Sequence, residues 1–268
     1  MRRLLIPILC LVAGCPVTNT PTDAFMRDAG PPDPDASMNC RASAIVPSGT
    51  YWVGTDSRPG FGNNWPAHQV TLSRDGWVAR YESTNACYRA CMAAGGCADV
   101  LDLMPDSRLP AYIDREPAMA YCAWLGGRLL TEAEWEVMAR GADGRLWPWY
   151  PAPDDPRRPE AGPLGDTDIC VLADTSPSGR CPGYLAQPVG SGAPRGRGPF
   201  GHEDVVTNAN EWVLGTLVFP YPSELQVDPI LEGGDYPVGR AAPVLRDTSG
   251  ETARCLFTSP PEPLYVEE

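Results

Sequence analysis

The sequence predicts an α+β domain that has little regular secondary structure for its length and is held together by disulfides. Three observations lead to this prediction. Helix signals occur only in short stretches, strand patterns are few and short, and residues 151–199 are rich in turn-forming residues. Such a long loop in a compact domain needs a covalent or ionic constraint, and the chain has ten cysteines that could supply it.

The first residues have the composition of an export signal. A positively charged start is followed at residues 4–12 by an apolar run that is too short to span a bilayer as a mature helix. The run VAGC at positions 12–15 is typical of a bacterial lipobox, in which the cysteine becomes the acylated first residue. We therefore expect a signal peptide at residues 1–14, a lipid on Cys15 and a location at the bacterial cell envelope. An ordinary secretory leader is the alternative.

A linker and a tail are expected on either side of the folded domain. Residues 15–39 are rich in Pro, Thr, Asp and Asn, so burial cannot offset the entropy of ordering them and they are predicted to be a disordered tether. The domain is then predicted at residues 40–257. Residues 258–268 contain several prolines and end in two glutamates, which predicts an acidic tail without core contacts.

Helix and strand signals can be placed in order along the domain. Helices are predicted at residues 84–94, 114–126 and 131–141, and strands at residues 50–53, 69–72 and 76–81. The third helix opens with a capping box, in which Thr131 and Glu134 satisfy free amides. Its acidic residues Glu132, Glu134 and Glu136 resemble the paired carboxylates that act as acid and base in hydrolases. Their place in the first turn of a capped helix favours a structural role instead. We expect Glu136 to face solvent.

The composition excludes several classes of function. The formal net charge of −13 repels nucleic acid and anionic headgroups, so we expect no nucleic-acid partner and a membrane contact through the lipid alone. All 21 basic Lys/Arg side chains are arginine. Without lysine, the chain can form neither a Schiff base nor a standard phosphate-binding loop. The two histidines, His68 and His202, are too few for a three-histidine metal site.

A set of motifs runs in one order along the chain. The longest is PAMAYCAWLGGRLLTEAEWEVMARGADGRLWPW at residues 117–149. The shorter ones are PSGTYWVG at 47–54, YESTN at 81–85, PVG at 188–190, NANEW at 208–212, GG at 233–234 and RC at 254–255. Together these motifs resemble the formylglycine-generating enzyme (sulfatase-modifying factor) domain. The resemblance implies the formylglycine-generating-enzyme fold, a large α+β domain related to C-type lectins.

Of the ten cysteines, Cys10 in the leader and Cys15 leave eight for the domain. An even number in an exported chain indicates a disulfide framework, although eight cysteines allow 105 pairings. A zinc site is the alternative, but the chain lacks close C-x-x-C pairs. The expected pairs are Cys122–Cys255, which the resemblance implies, Cys91–Cys97 and Cys170–Cys181, which proximity suggests, and Cys40–Cys87, the two that remain.

The family's oxidase chemistry uses two cysteine thiolates that bind copper(I), because soft thiolates hold this ion where oxygen ligands would not. Counted from the two glycines at 233–234, the resemblance places these positions at Val238 and Pro243. The family's serine after the glycines is Asp235 here, and the tryptophan of its Asn-Val-Trp-Glu-Trp motif is Asn210. Valine and proline offer no electron pair to a metal, so we expect no copper and an inactive domain.

Residues 204–212 resemble a calcium-binding segment of the family. The matching ligands are the side chains of Asp204 and Glu211 and the backbone carbonyls of Thr207 and Ala209. Hard oxygen donors suit Ca²⁺, and the two carboxylates supply negative charge without a histidine. We expect a structural calcium ion here; a solvated acidic turn is the alternative.

The expected function is binding at the cell envelope. The resemblance implies a groove that once held substrate, and its expected lining is Asp235, Tyr236, Arg240 and Arg246. An inactive domain would bind a protein, a peptide or a glycan there. One alternative is an active oxidase that matures sulfatases, or a related non-haem iron oxidase. Another is a structural envelope module whose groove is vestigial.

Overall fold

The computed structural model describes residues 38–55, 64–100, 103–145, 187–191, 197–205, 208–242, 245–247 and 250–266. Three helices and eleven strands fall within these ranges. The helices are α1 (Asn85–Ala93), α2 (Arg115–Trp124) and α3 (Glu132–Arg140). The strands are β1 (Ser43–Val46), β2 (Gly49–Val53), β3 (His68–Leu72), β4 (Gly76–Ala79), β5 (Arg128–Leu129), β6 (Glu211–Thr216), β7 (Gln226–Val227), β8 (Pro237–Ala242), β9 (Leu245–Asp247), β10 (Thr252–Ala253) and β11 (Cys255–Phe257).

The helices begin where local signals predict. The Thr84 hydroxyl caps α1 by accepting a hydrogen bond from the Cys87 amide at 3.2 Å. In α3 the capping box is formed: the Thr131 hydroxyl accepts from the Glu134 amide at 3.2 Å, and the Glu134 carboxylate accepts from the Thr131 amide at 2.7 Å. Gly141, at a φ of 67°, ends α3 in a conformation that suits glycine.

The strands form three sheets, with orders β1-β4-β11-β5, β10-β6-β8-β9 and β2-β3-β7. The sequence predicts β2, β3 and β4, although β4 ends two residues before the predicted boundary. The remaining strands are two to six residues long. Most of them are too short to show the alternation of a half-buried strand, so the sequence does not reveal them. The mixed sheets and few helices confirm the predicted α+β class.

Buried apolar residues form two clusters. In the first, Trp135 and Met138 of α3 pack against strand residues that include Val70, Val213 and Val238. The second lies between α1, α2 and the sheet of β4 and β11. Three disulfides reinforce this second region, with the bonds Cys40–Cys87, Cys91–Cys97 and Cys122–Cys255. These are three of the four expected pairings; Cys170 and Cys181 lie outside the described residues.

The two ends of the domain pair with each other, and the expected boundaries are wrong there. The Cys40 amide donates to the Leu264 carbonyl at 2.8 Å, and the Val266 amide donates to the Met38 carbonyl at 3.1 Å. Leu264 and Val266 are partly buried against the second cluster. The described part of the tail therefore has core contacts, and the folded region already includes Met38. No helix among the described residues has the length and apolar character needed to cross a bilayer.

Candidate functional site

Val238, which the resemblance places at the family's first thiol position, has its side chain buried in the core. It lies on β8 opposite Val213 of β6 and is 1% exposed. The preceding glycines shape the entry to β8: Gly233 has a φ of 106°, and a Cβ on Gly234 would collide with the backbone carbonyl of Leu217. The second thiol position, Pro243, lies outside the described residues.

The expected groove residues separate into two environments. Asp235 and Tyr236 are exposed. Arg240 is fully buried, so the prediction that it lines an open groove is wrong. Alternate residues of a strand point to the same side, so Arg240 shares the buried face of β8 with Val238. Arg246 of β9 pairs with Arg240 in the strand register.

The Arg240 guanidinium is paired with two carboxylates of α3. Its Nη1 donates to Glu132 Oε1 at 2.9 Å and its Nη2 donates to Glu136 Oε2 at 2.9 Å. The guanidinium carbon lies 5.0 Å from the centroid of the Trp135 ring, a cation–π distance. Burial alone would lower the pKa of Arg240, but Tyr221 and the two glutamates outweigh burial and raise it, so the arginine stays charged.

Glu136, which we expected in solvent, is fully buried. Its Oε1 accepts from the Gly54 amide and from Arg140 Nη1, each at 2.6 Å. Burial raises the pKa of Glu136, but Arg240 and Arg140 outweigh it and the pKa is lowered below its ordinary value. Helical spacing could not reveal this environment, because Arg240 is 104 residues further along the chain.

A second buried arginine, Arg254, extends this network to the first sheet. Glu211 of β6 accepts from Trp135 Nε1 at 2.6 Å and from Arg254 Nε at 2.7 Å, one on each carboxylate oxygen. Since Trp135 also stacks on Arg240, the network joins α3, β6 and β8. The other Arg254 donors bind the backbone carbonyls of Ala79, Arg80 and Glu203.

Three buried carboxylates interact electrostatically with Arg254. They belong to Glu82, Asp204 and Glu211. Burial, together with the charges of Asp204 and Glu211, raises the pKa of Glu82 well above its ordinary value. Burial and the neighbouring negative charges therefore favour the protonated form of the Glu82 carboxyl group.

The predicted calcium ligands fit the ion only in part. Asp204 is buried, has a φ of 51° and accepts a hydrogen bond from the Gly190 amide. Both oxygens of Glu211 are held by donors, so Glu211 does not fit as a ligand in this arrangement. Thr207 lies outside the described residues. The part of the chain that the structure describes contains no group of three or more His, Cys, Asp or Glu side chains arranged for a metal. Calcium binding therefore stays a prediction.

Comparison with known proteins identifies the family and supports the fold. The family described as the sulfatase-modifying factor enzyme 1-like domain matches residues 28–246. The chain belongs to this family.

Two curated relatives of the family share a short segment with the chain. The formylglycine-generating enzyme of Mus musculus is 51% identical over 39 residues, 14% of this chain and 10% of the relative. The inactive C-alpha-formylglycine-generating enzyme 2 of Bos taurus is 51% identical over 39 residues, 14% of this chain and 13% of the relative. The match thus spans a small fraction of each relative's length.

Two solved structures have the same fold. PvdO from Pseudomonas aeruginosa superposes with a TM-score of 0.60 at 22% identity, covering 81% of this chain and 94% of PvdO. Treponema denticola variable protein 1 superposes with a TM-score of 0.60 at 15% identity, covering 81% of this chain and 95% of that protein. At these identities the similarity concerns the fold alone. It agrees with the fold that the motifs of this family imply.

The Glu136 network gives a stability prediction. Glu136→Gln should destabilise the domain by about 3–5 kcal/mol at neutral pH, because it leaves buried guanidinium groups without one of their carboxylates. The folded-state pKa of Glu136 is lowered, so its contribution is present above the ordinary value of 4.5 and is lost as pH falls through the folded pKa. The difference between wild type and variant, measured by urea unfolding, should narrow as the pH falls below 4.5.

Glu224→Gln is the matched control for this prediction. Glu224 is exposed, so its replacement should change the free energy of unfolding by no more than about 0.5 kcal/mol. If Glu136→Gln lowered the free energy of unfolding as little as the control does, the stabilising role of the network would be contradicted. A decrease of the same size at every pH would contradict it as well.

Calcium binding at Asp204 has its own test. An ion that binds only the folded state adds about 2.7 kcal/mol when it is a hundredfold above its Kd, so a chelator should lower the Tm of the wild type. Magnesium should restore the Tm poorly, because it demands a small regular octahedron. Asp204→Asn should shrink the chelator effect. Glu211→Gln is not a suitable variant, because it also weakens the Arg254 pair. If the chelator does not change the Tm, residues 204–212 are an acidic turn without calcium.

Proposed function

We propose that this chain is a catalytically inactive binding domain of the sulfatase-modifying factor family, exported and held at the bacterial cell envelope by a lipid on Cys15. The observation that carries the proposal is Val238. A hydrocarbon side chain, buried opposite Val213, stands where the family has a metal-binding thiol. The six cysteines of the described ranges are all in disulfides, so none of them is a thiol that could replace it.

The acidic side chains of α3 support the same proposal, because they have structural partners. Glu132 and Glu136 bind Arg240, and Glu134 binds Arg128 through both oxygens at 2.6 and 2.7 Å. A general acid or base must be able to exchange a proton with a substrate, whereas these carboxylates are engaged by arginine. A hydrolytic role for the acids of α3 therefore has no support.

The curated relatives leave the activity of this chain open. One of them is named a formylglycine-generating enzyme and another an inactive one, and the two match with equal identity over equal length. The shared identity therefore does not distinguish an active from an inactive domain. Val238 favours the inactive alternative, because its hydrocarbon side chain cannot bind copper(I). The exposed Tyr236 and Asp235 remain available to a protein, peptide or glycan ligand.

The absence of oxidase activity is directly measurable. We expect that incubating the purified protein with copper(I), oxygen and a peptide with the family's Cys-x-Pro-x-Arg motif leaves the cysteine unchanged by mass spectrometry, since neither family position offers a thiolate. A peptide with serine in place of the cysteine controls for background oxidation. Conversion of the cysteine to formylglycine would overturn the proposed function.

Lipidation is tested by membrane partitioning. Two or more acyl chains hold a protein firmly to a bilayer whereas one binds only marginally, so the wild type should sediment with membranes after expression in a bacterial host. Cys15→Ala should appear in the soluble exported fraction. Cys10→Ala, a change within the leader, is the matched control and should still partition with membranes. Identical fractionation of wild type and Cys15→Ala would contradict the lipid anchor.

A further inference from the structure

Most of the exposed large apolar side chains among the described residues come from two segments of the chain. Eight large apolar side chains are exposed among the described residues, and six of them lie on β2 or in residues 219–236. These six are Trp52, Phe219, Leu225, Val227, Ile230 and Tyr236, each at least half exposed. Isolated exposed apolar residues are ordinary, whereas a concentration of them marks an interaction site.

The strand register places part of this set on one face of the β2-β3-β7 sheet. Thr50 pairs with Thr71, Thr71 pairs with Val227, and Trp52 pairs with Gln69. Because alternate residues of a strand point to the same side, these five side chains share one face. The intervening residues of β2 and β3 are buried beneath the sheet; they are Tyr51, Val53, His68, Val70 and Leu72.

Carboxylates accompany the apolar side chains. Residues 217–236 contain no basic residue, and Glu224, Glu232 and Asp235 are exposed without an ion pair to any described residue. Asp228 is different, because its carboxylate accepts hydrogen bonds from Ser73, which lower its pKa together with the nearby charges of Arg74 and Arg128. Glu224, Glu232 and Asp235 therefore have no ion-pair partner among the described residues.

We propose that this acidic–apolar surface, the outer face of β2-β3-β7 together with residues 219–236, docks a peptide segment of a partner protein that carries arginine or lysine among apolar residues. The proposal rests on the proposed role as a binding domain. Charge complementarity selects this partner. A second copy of the acidic chain, an anionic membrane or a nucleic acid would bring like charges together. A neutral glycan could stack on Trp52 but would leave the carboxylates unpaired.

The full chain can be tested by fluorescence anisotropy with two labelled peptides, one of three Leu-Arg-Gly repeats and the other of three Leu-Glu-Gly repeats. We expect the basic peptide to bind about tenfold or more tightly than the acidic one. Trp52→Ser should weaken binding by about tenfold or more, since buried aromatic anchors dominate interfaces. Neutralising Glu224 and Asp235 together, by Glu224→Gln and Asp235→Asn, should weaken binding and flatten its dependence on salt.

Met119→Ser is the matched control, because Met119 is an exposed apolar residue of α2 outside this surface. It should bind like the wild type, and thermal melts establish that all variants are folded. Equal affinity for both peptides, or a Trp52→Ser variant that binds like Met119→Ser, would overturn the proposal. Binding of the glycan chitohexaose without binding of the basic peptide would also overturn it. A dimer that forms in analytical sedimentation only when Trp52 is present would overturn it in favour of a second copy of the chain. If the basic peptide does not bind and the oxidase assay leaves the substrate cysteine unchanged, only the docking proposal is rejected. If the oxidase assay converts the substrate cysteine to formylglycine, the proposed function itself is rejected.

Discussion

The fold depends on the guanidinium group of Arg240, a buried positive charge that is paired with the carboxylates of Glu132 and Glu136. Burying a charge is costly, and the cost is offset only when geometry and hydrogen bonds are good. Here the same glutamate that binds Arg240 also accepts the Gly54 amide after β2. One ion pair therefore connects β8, α3 and the end of β2. Through Trp135 and Glu211 the connection continues to Arg254, which reaches β4.

Features set by neighbouring residues could be predicted from the sequence. The caps at Thr84 and Thr131 depend on groups three residues away, and both are formed. Features set by distant residues could not be predicted. Glu136 follows two glutamates in a helix and gives no sign of a partner 104 residues later. The tail has a composition without core character, yet Leu264 pairs with Cys40 across the whole domain.

The environment of Arg240 differs from the prediction for a physical reason. A charged residue beside a family's reactive position suggests a ligand contact, so the sequence predicts Arg240 in a groove, whereas the structure buries it. Strand alternation counted from Val238 would have placed both residues on one face, but which face is buried is settled only by α3. The calcium segment shows the same limit. The resemblance implies Asp204 and Glu211 as ligands. The hydrogen-bond partners of Glu211 are Trp135 of α3 and Arg254, the residue before β11, and neither is evident from the segment itself.

The pairing of the two ends of the domain has a mechanical consequence. A pull on the chain from its N-terminal side enters the described residues at Met38. Met38 is hydrogen-bonded to Val266, and two residues later the disulfide of Cys40 passes the load covalently to α1. The force therefore acts on α1 and the core around it before it can break the hydrogen bonds between β1 and β4.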